Sequence, residues 1–174
     1  TVEEVSQYLE GPARPGHFRG VTTVVAKLFN VFQPQRAYFG QKDAQQAVVI
    51  KRMVQDLNFN LEIVVCPIVR EADGLAMSSR NVNLSPAARR QATCLYRALS
   101  AARQALARGE RNAVNLRGLM LEIIGTADLA RVDYVSVADP DTLQELELVQ
   151  GRALLSLAVF VGGVRLIDNM VIGE

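Results

Sequence analysis

The chain has 174 residues, 49% of them apolar, and 19 Lys+Arg against 18 Asp+Glu, a formal net charge of +1. That apolar content and so small a net charge exclude a disordered chain and leave one globular domain, or two small ones, with enough residues for a core. One His (His17) and two Cys (Cys66 and Cys94) cannot build a zinc site from Cys and His alone, and they form no disulfide framework, so a reducing compartment is expected.

The first residues, Thr1 to Glu4, lack the basic and apolar regions of a signal peptide, and there is no initiating Met, so the chain is read as a fragment. Thr22 to Phe32 is apolar on most sides and predicts a largely buried helix stopped before Pro34. Arg36 to Phe39 predicts a short strand, and Gly40-Gln41-Lys42 a turn. Asp43 opens a helix with Ala47, Ile50, Val54 and Leu57 at spacings of three and four. Leu61 to Cys66 is a β-rich run closed by Pro67. Strand, helix and strand in so short a span make a βαβ unit, which implies a parallel sheet covered on both faces.

Residues 70 to 84 are polar and predict a long loop, acting as hinge and lip; loops of that length in compact domains tend to be functional. Ser85-Pro86 is a helix start, Ser as N-cap and Pro at N1. Ala88, Ala92, Leu95, Leu99, Ala102 and Leu106 then make one apolar stripe, ended by Gly109. A second helix is predicted from Ala113 to Ile124, followed by strands over Val132–Ala138, Ala153–Val161 and Val164–Asp168. Gly162-Gly163 suits a two-residue hairpin turn. Helices followed by antiparallel strands make an α+β domain, so the expected division is 1–68 and 69–174. The longest apolar stretch, Ala153 to Val161, falls well short of the roughly 20 residues a membrane span needs.

Charge is distributed unevenly. Arg89 to Arg117 holds seven Arg and one acid, whereas Glu122 to Glu147 holds seven acids and one Arg. Such asymmetry fits either a nucleic-acid surface or a solvated helix beside an acidic neighbour; only Tyr96 is interleaved, which weakens a stacking platform.

Three clusters can carry chemistry. Arg14-Pro15-Gly16-His17-Phe18-Arg19-Gly20 sets two guanidiniums and an imidazole before a helix, suited to a carboxylate or phosphate, or else it is an ordinary surface loop. Gly40-Gln41-Lys42-Asp43-Ala44-Gln45-Gln46 lies where open α/β sheets bind ligands. There Gly40 admits a close approach, Lys42 meets a phosphate, and Asp43 holds ribose hydroxyls. The purely structural alternative is that Asp43 and Gln46 form a capping box. Met77-Ser78-Ser79-Arg80 offers two hydroxyls and a guanidinium to a phosphate chain, or is a polar linker into the Ser85 helix. With a single His and no Lys after the serines, neither a Ser-His-Asp triad nor a Ser-x-x-Lys nucleophile is expected.

In this order, Pro15-Gly16-His17-Phe18-Arg19-Gly20-Val21, Phe39-Gly40-Gln41-Lys42-Asp43-Ala44-Gln45-Gln46 and the run from Pro67 to Asn81 resemble the pantoate–β-alanine ligase family. Asp133-Tyr134-Val135 and Gly163 to Asn169 extend the resemblance over nearly the whole chain. The resemblance implies an α/β fold: the C-terminal half of a Rossmann-like nucleotidyltransferase domain, followed by a small α+β domain of helices plus an antiparallel sheet. It implies condensation of pantoate with β-alanine through pantoyl adenylate, with ATP and Mg²⁺, releasing AMP and pyrophosphate. Gly40, Gln41 and Asp43 would meet the nucleotide, with Lys42 on its phosphates. The backbone of Val69 and Met77 would meet adenine, and Ser78, Ser79 and Arg80 the phosphates. Gln46, Arg14 and His17 would bind pantoate. Lys42, Ser78, Ser79 and Arg80 are the implied catalytic set, with no protein-held metal. The family's Met-Gly-x-Leu-His-x-Gly-His segment does not occur here, so the chain alone is expected to be inactive, with bare apolar faces and unpaired strand edges. A cytoplasmic, homodimeric parent with small-molecule substrates and neither nucleic acid nor membrane as partner is implied. The alternatives are another enzyme of the nucleotidyltransferase superfamily and a non-enzymatic Arg-rich binding module.

Overall fold

The computed structural model describes residues 2–173. The chain divides into two compact units, Thr1–Pro67 with Asp141–Leu143, and Ile68–Pro140 with Gln144–Glu174.

The first unit runs α1 (Val2–Ser6), α2 (Glu10–Ala13), α3 (His17–Phe32), β1 (Arg36–Gly40), a 3₁₀ turn (Gln41–Asp43), α4 (Ala44–Asp56) and β2 (Glu62–Cys66). β1 and β2 pair in parallel, Tyr38 opposite Val64 and Gly40 opposite Cys66. One face of this pair packs through Ala37, Phe39 and Ile63 against Phe29 of α3 and Ile50 and Met53 of α4. The other face is open at Tyr38, which is 63% exposed, so among the described residues the sheet is covered on one face only, in line with the bare faces expected of this chain. The prediction of a largely buried helix also needs correction. α3 begins at His17 rather than Thr22 and buries Phe18 and Phe29, but Val24, Leu28, Val31 and Phe32 form an exposed apolar face. A run apolar on most sides buries only the side that has a partner. Leu57, expected on the inner face of α4, lies just past its end and is exposed.

The second unit contains a hairpin around Arg70–Ala76, a 3₁₀ segment (Ser79–Asn83), α5 (Pro86–Gln91), α6 (Cys94–Ala107), α7 (Ala113–Gly125) and the strands β3 (Ala130–Ala138), β4 (Ala153–Val161) and β5 (Val164–Ile172). The sheet is antiparallel in the order β3-β4-β5, with helices packed on it. Its core joins Leu95, Leu99, Leu116, Met120 and Ile124 of the helices to Leu155, Leu157, Val159 and Val161 of β4. Gly162 and Gly163 both take positive φ in the β4–β5 turn, as a two-residue turn requires. The single helix expected from Ser85 to Gly109 is two, α5 and α6. Ala92 and Thr93 keep right-handed angles, but Leu95 N–H bonds back only three residues, to Ala92 (3.3 Å). The turn tightens without redirecting the apolar stripe, and Ala88, Ala92, Leu95, Leu99 and Ala102 are all buried.

Candidate functional site

The first group of site residues lies at the carboxyl end of β1. Gly40 ends the strand, the 3₁₀ turn carries Gln41, Lys42 and Asp43, and Gln46 sits in the first turn of α4. Lys42, Gln41 and Gln46 are half-buried, and Asp43 is exposed. Asp43 occupies the N-cap position of α4 but its side chain makes no cap hydrogen bond, which removes the capping-box explanation for Asp43 and Gln46. A strand end and a helix start thus carry a cation, a carboxylate and an amide close together in the chain, where the helix N-terminus adds positive potential.

Gln45, the other glutamine of the pair, does different work that the sequence reading missed. It is buried; its Oε1 accepts from Glu10 N–H (2.9 Å) while its Nε2 donates to the carbonyls of Val5 (2.9 Å) and Tyr8 (2.7 Å). This one amide ties the segment before Arg14 and His17 to the helix that carries Gln46. A buried amide with all these bonds met stabilises one register of that segment. Arg14 is exposed and His17 half-buried, at the first position of α3. Burial, then the Arg14 guanidinium, push the His17 pKa below its ordinary 6.5, while Glu10 and Asp43 pull it upward. The net result is an imidazole that is neutral at pH 7, able to donate from one nitrogen and accept at the other.

The second group belongs to the second unit. The expected long loop is instead a tight hairpin followed by a 3₁₀ segment. Arg70 bridges Ala76, Glu71 N–H bonds Leu75 O (2.9 Å), and Met77 N–H bonds Val69 O (3.0 Å). Leu75 and Ala76 are buried, which polar composition concealed. Val69 and Met77 stand exposed at the open end of the hairpin. Their mutual bond uses the Met77 N–H and Val69 carbonyl; the Val69 N–H and the Met77 carbonyl take no part in it. Ser78 follows, its Oγ accepting from Arg80 N–H (3.2 Å), so the Ser78-Ser79-Arg80 turn is shaped by its own first hydroxyl. Ser79 and Arg80 are exposed, and Arg80 Nη1 lies 3.4 Å from the Arg165 carbonyl.

The hairpin is clamped from behind by residues that sequence reasoning did not single out as functional: Arg70, Tyr96 and Asp168. Arg70 forms a two-pronged ion pair with Asp168, at 2.7 and 2.9 Å. One signal was legible. Leu166, Asp168 and Ile172 share one face of β5, so Asp168 is a carboxylate on an inward face and demands a cation.

Of the Arg-rich run, Arg89 pairs with Asp73 (2.7 Å), Arg117 with Glu145 (2.7 Å), and Arg111 donates to the Leu106 carbonyl. Among the described residues, no group of three or more His, Cys, Asp or Glu side chains gathers to hold a metal ion.

Known proteins are similar to this chain in sequence and in fold. The sequence model of the family described as "Pantoate-beta-alanine ligase" matches residues 1–171. The pantothenate synthetase of Roseiflexus sp. (strain RS-1) is 63% identical over 171 residues, 98% of this chain and 62% of that protein. That of Moorella thermoacetica is 58% identical, covering 98% of this chain and 60% of that protein. The chain therefore spans about three-fifths of the length of the curated relatives it matches. The crystal structure of pantothenate synthetase from Thermus thermophilus superposes with a TM-score of 0.92 at 46% identity, over 96% of this chain and 60% of that one. The pantoate-beta-alanine ligase of Francisella tularensis, solved in complex with beta-gamma ATP and beta-alanine, gives a TM-score of 0.67 at 35% identity, over 97% and 55%. A family model that matches nearly the whole chain, and relatives about 60% identical to it, show that the chain belongs to the pantoate-beta-alanine ligase family.

Proposed function

We propose that the full protein joins pantoate to β-alanine at the expense of ATP, and that this chain supplies much of its nucleotide-handling surface. The observation that carries the reading is the family match over residues 1–171, together with a relative at 35% identity solved with beta-gamma ATP and beta-alanine. A pantoate carboxylate oxygen attacks the α-phosphorus of ATP, and the bond to the pyrophosphate oxygen breaks. The β-alanine amine then attacks the acyl carbon of pantoyl adenylate, the amide forms, and AMP leaves.

In this reading Gly40 and Asp43 receive the ribose of the nucleotide and Lys42 its phosphates, with Gln41 also on the nucleotide. Val69 N–H and Met77 C=O are one donor and one acceptor, the complement of adenine N1 and N6. Ser78, Ser79 and Arg80 offer hydroxyls and a guanidinium to the phosphate oxygens, where negative charge grows during displacement. Gln46, Arg14 and neutral His17 hold pantoate. Magnesium is expected to enter with ATP, since Mg²⁺ is commonly carried by substrate phosphates. The parent is taken to be a cytoplasmic homodimer with small-molecule partners. The 174 residues by themselves are expected not to turn over, because the His pair that the resemblance implies is not among them.

An assay of AMP release with pantoate and β-alanine tests the reading in the full-length protein. Lys42→Ala is expected to lower kcat by about 10²- to 10³-fold, the scale of losing one donor to developing charge. A near-normal rate in that variant removes the role given to Lys42, and turnover by the 174 residues alone removes the expectation of inactivity. ATP–pyrophosphate exchange elicited by another carboxylic acid, and not by pantoate, would move the protein to a different branch of the superfamily.

A further inference from the structure

The Arg70–Asp168 pair has no role in the chemistry above, yet its carboxylate is buried, its guanidinium is largely so, and both are heavily bonded. Arg70 Nη1 donates to Asp168 Oδ2 (2.7 Å) and Nη2 to Oδ1 (2.9 Å). The same guanidinium donates to the Gly74 carbonyl at the hairpin tip (2.9 Å) and approaches the Asn169 carbonyl on β5 (3.3 Å). Its carbon lies 4.5 Å from the centroid of the Tyr96 ring on α6. The Asp168 side chain is 1% exposed and that of Arg70 is 19% exposed. A two-pronged guanidinium–carboxylate pair fixes orientation as well as distance, and burial removes the water that would otherwise loosen it.

The connectivity gives this pair leverage. Arg70 follows Val69 directly, and its bridge partner Ala76 precedes Met77. Any shift of Arg70 along β5 therefore moves both residues at the open end. Gly74 completes the fit: the space a Cβ would need there is taken by the Tyr96 ring, so the tip packs closely against that ring.

We propose that Arg70, Asp168 and Tyr96 are positioning residues that set the hairpin's register on β5 and so aim the Val69 N–H and Met77 carbonyl at an adenine edge. The inference rests on the nucleotide reading of the hairpin given above. One donor and one acceptor in that order suit adenine and oppose guanine, whose corresponding edge presents the reverse pattern. Register error is thus read out as lost nucleotide discrimination as well as lost affinity.

The test uses the full-length protein with Arg70→Lys, Asp168→Asn and Tyr96→Leu, each checked for folding by thermal melting. Arg70→Lys and Asp168→Asn are expected to lower kcat/KM for ATP about 10- to 100-fold through KM, with KM for β-alanine unchanged. The preference for ATP over GTP is expected to fall at least about tenfold, because unpaired polar groups carry such discrimination. Amide exchange at Glu71 and Met77 should quicken. Tyr96→Leu leaves the ion pair intact and carries the test, in the same direction and smaller, if the charge variants do not fold. Folded variants with a wild-type KM for ATP and a wild-type ATP:GTP ratio overturn the proposal. So does a lowered melting temperature with no kinetic change, or failure of Tyr96→Leu to fold, each of which makes the contact purely structural. If the wild-type protein itself does not discriminate ATP from GTP, the adenine reading of the hairpin is what fails, and amide exchange at Glu71 and Met77 still reports whether Arg70 holds the hairpin.

Discussion

His17 stands at the start of α3, where burial and the Arg14 guanidinium both disfavour its charged form. Its midpoint, followed by NMR titration, should lie below 6.5 and rise when Arg14 is replaced by Met. The sign for stability follows from linkage. A base whose pKa is depressed on folding binds its proton more readily when unfolded. Its contribution is therefore complete above 6.5 and is lost as pH falls toward the folded-state value. Gly74 is the second residue whose identity is tightly constrained. Its φ is +92°, and the space a Cβ would need is taken by Tyr96. Gly74→Ala should cost about 2–4 kcal/mol in urea unfolding, the sum of left-handed strain and overpacking. Trimming Tyr96 to Ala in that background should recover the steric share and leave the strain.

Among the helices, α7 shows how far local chemistry alone specifies an element. Asn112 Oδ1 accepts from Val114 N–H (2.8 Å) and Asn115 N–H (3.3 Å), meeting two of the donors a helix start leaves open. Asn112→Ala should cost about 1 kcal/mol in chemical unfolding and Asn112→Gly only a few tenths, since Gly is tolerated at this position. A loss beyond about 2 kcal/mol for the Ala change would mean that Asn112 does more than cap. Ser85 plays the same part for α5 through Ala88 N–H (3.2 Å), and that cap was readable from Ser-Pro before an apolar stripe. Asp43 looked equally plausible as a cap, but its side chain makes no such bond. Residue type and spacing identify a candidate cap; the side-chain torsion that completes it depends on what else the carboxylate faces.

Stability across the molecule should be uneven. The second unit joins α6 and α7 to β4 in one continuous core, whereas the first rests on a two-stranded parallel sheet with one face open and an apolar face of α3 exposed. A two-stranded sheet is marginal without packing on it, and units with separate cores need not unfold together. Native-state hydrogen exchange should therefore find the slowest amides in β4 and α6 and faster ones in β1 and β2, at conditions where the second unit is intact. A single opening free energy shared by β1, β2 and β4 would count against this.

Local periodicity and punctuation determined the parallel strand–helix–strand unit, the antiparallel three-strand sheet and the turn at Gly162-Gly163. These follow from side-chain spacing and backbone sterics acting over a few residues. Motif order likewise determined the family resemblance, and with it the candidate residues from Arg14 to Arg80. Only the tertiary structure decided which apolar faces find partners, so Phe29 is buried while Val31 and Phe32, on the same helix, are not. It also turned an expected polar loop into a pinned hairpin. What pins it is a contact between Arg70 and Asp168 across 98 residues of chain. No local pattern encodes it, because the need of a buried carboxylate for a cation says that a partner must exist but not where in the sequence it stands.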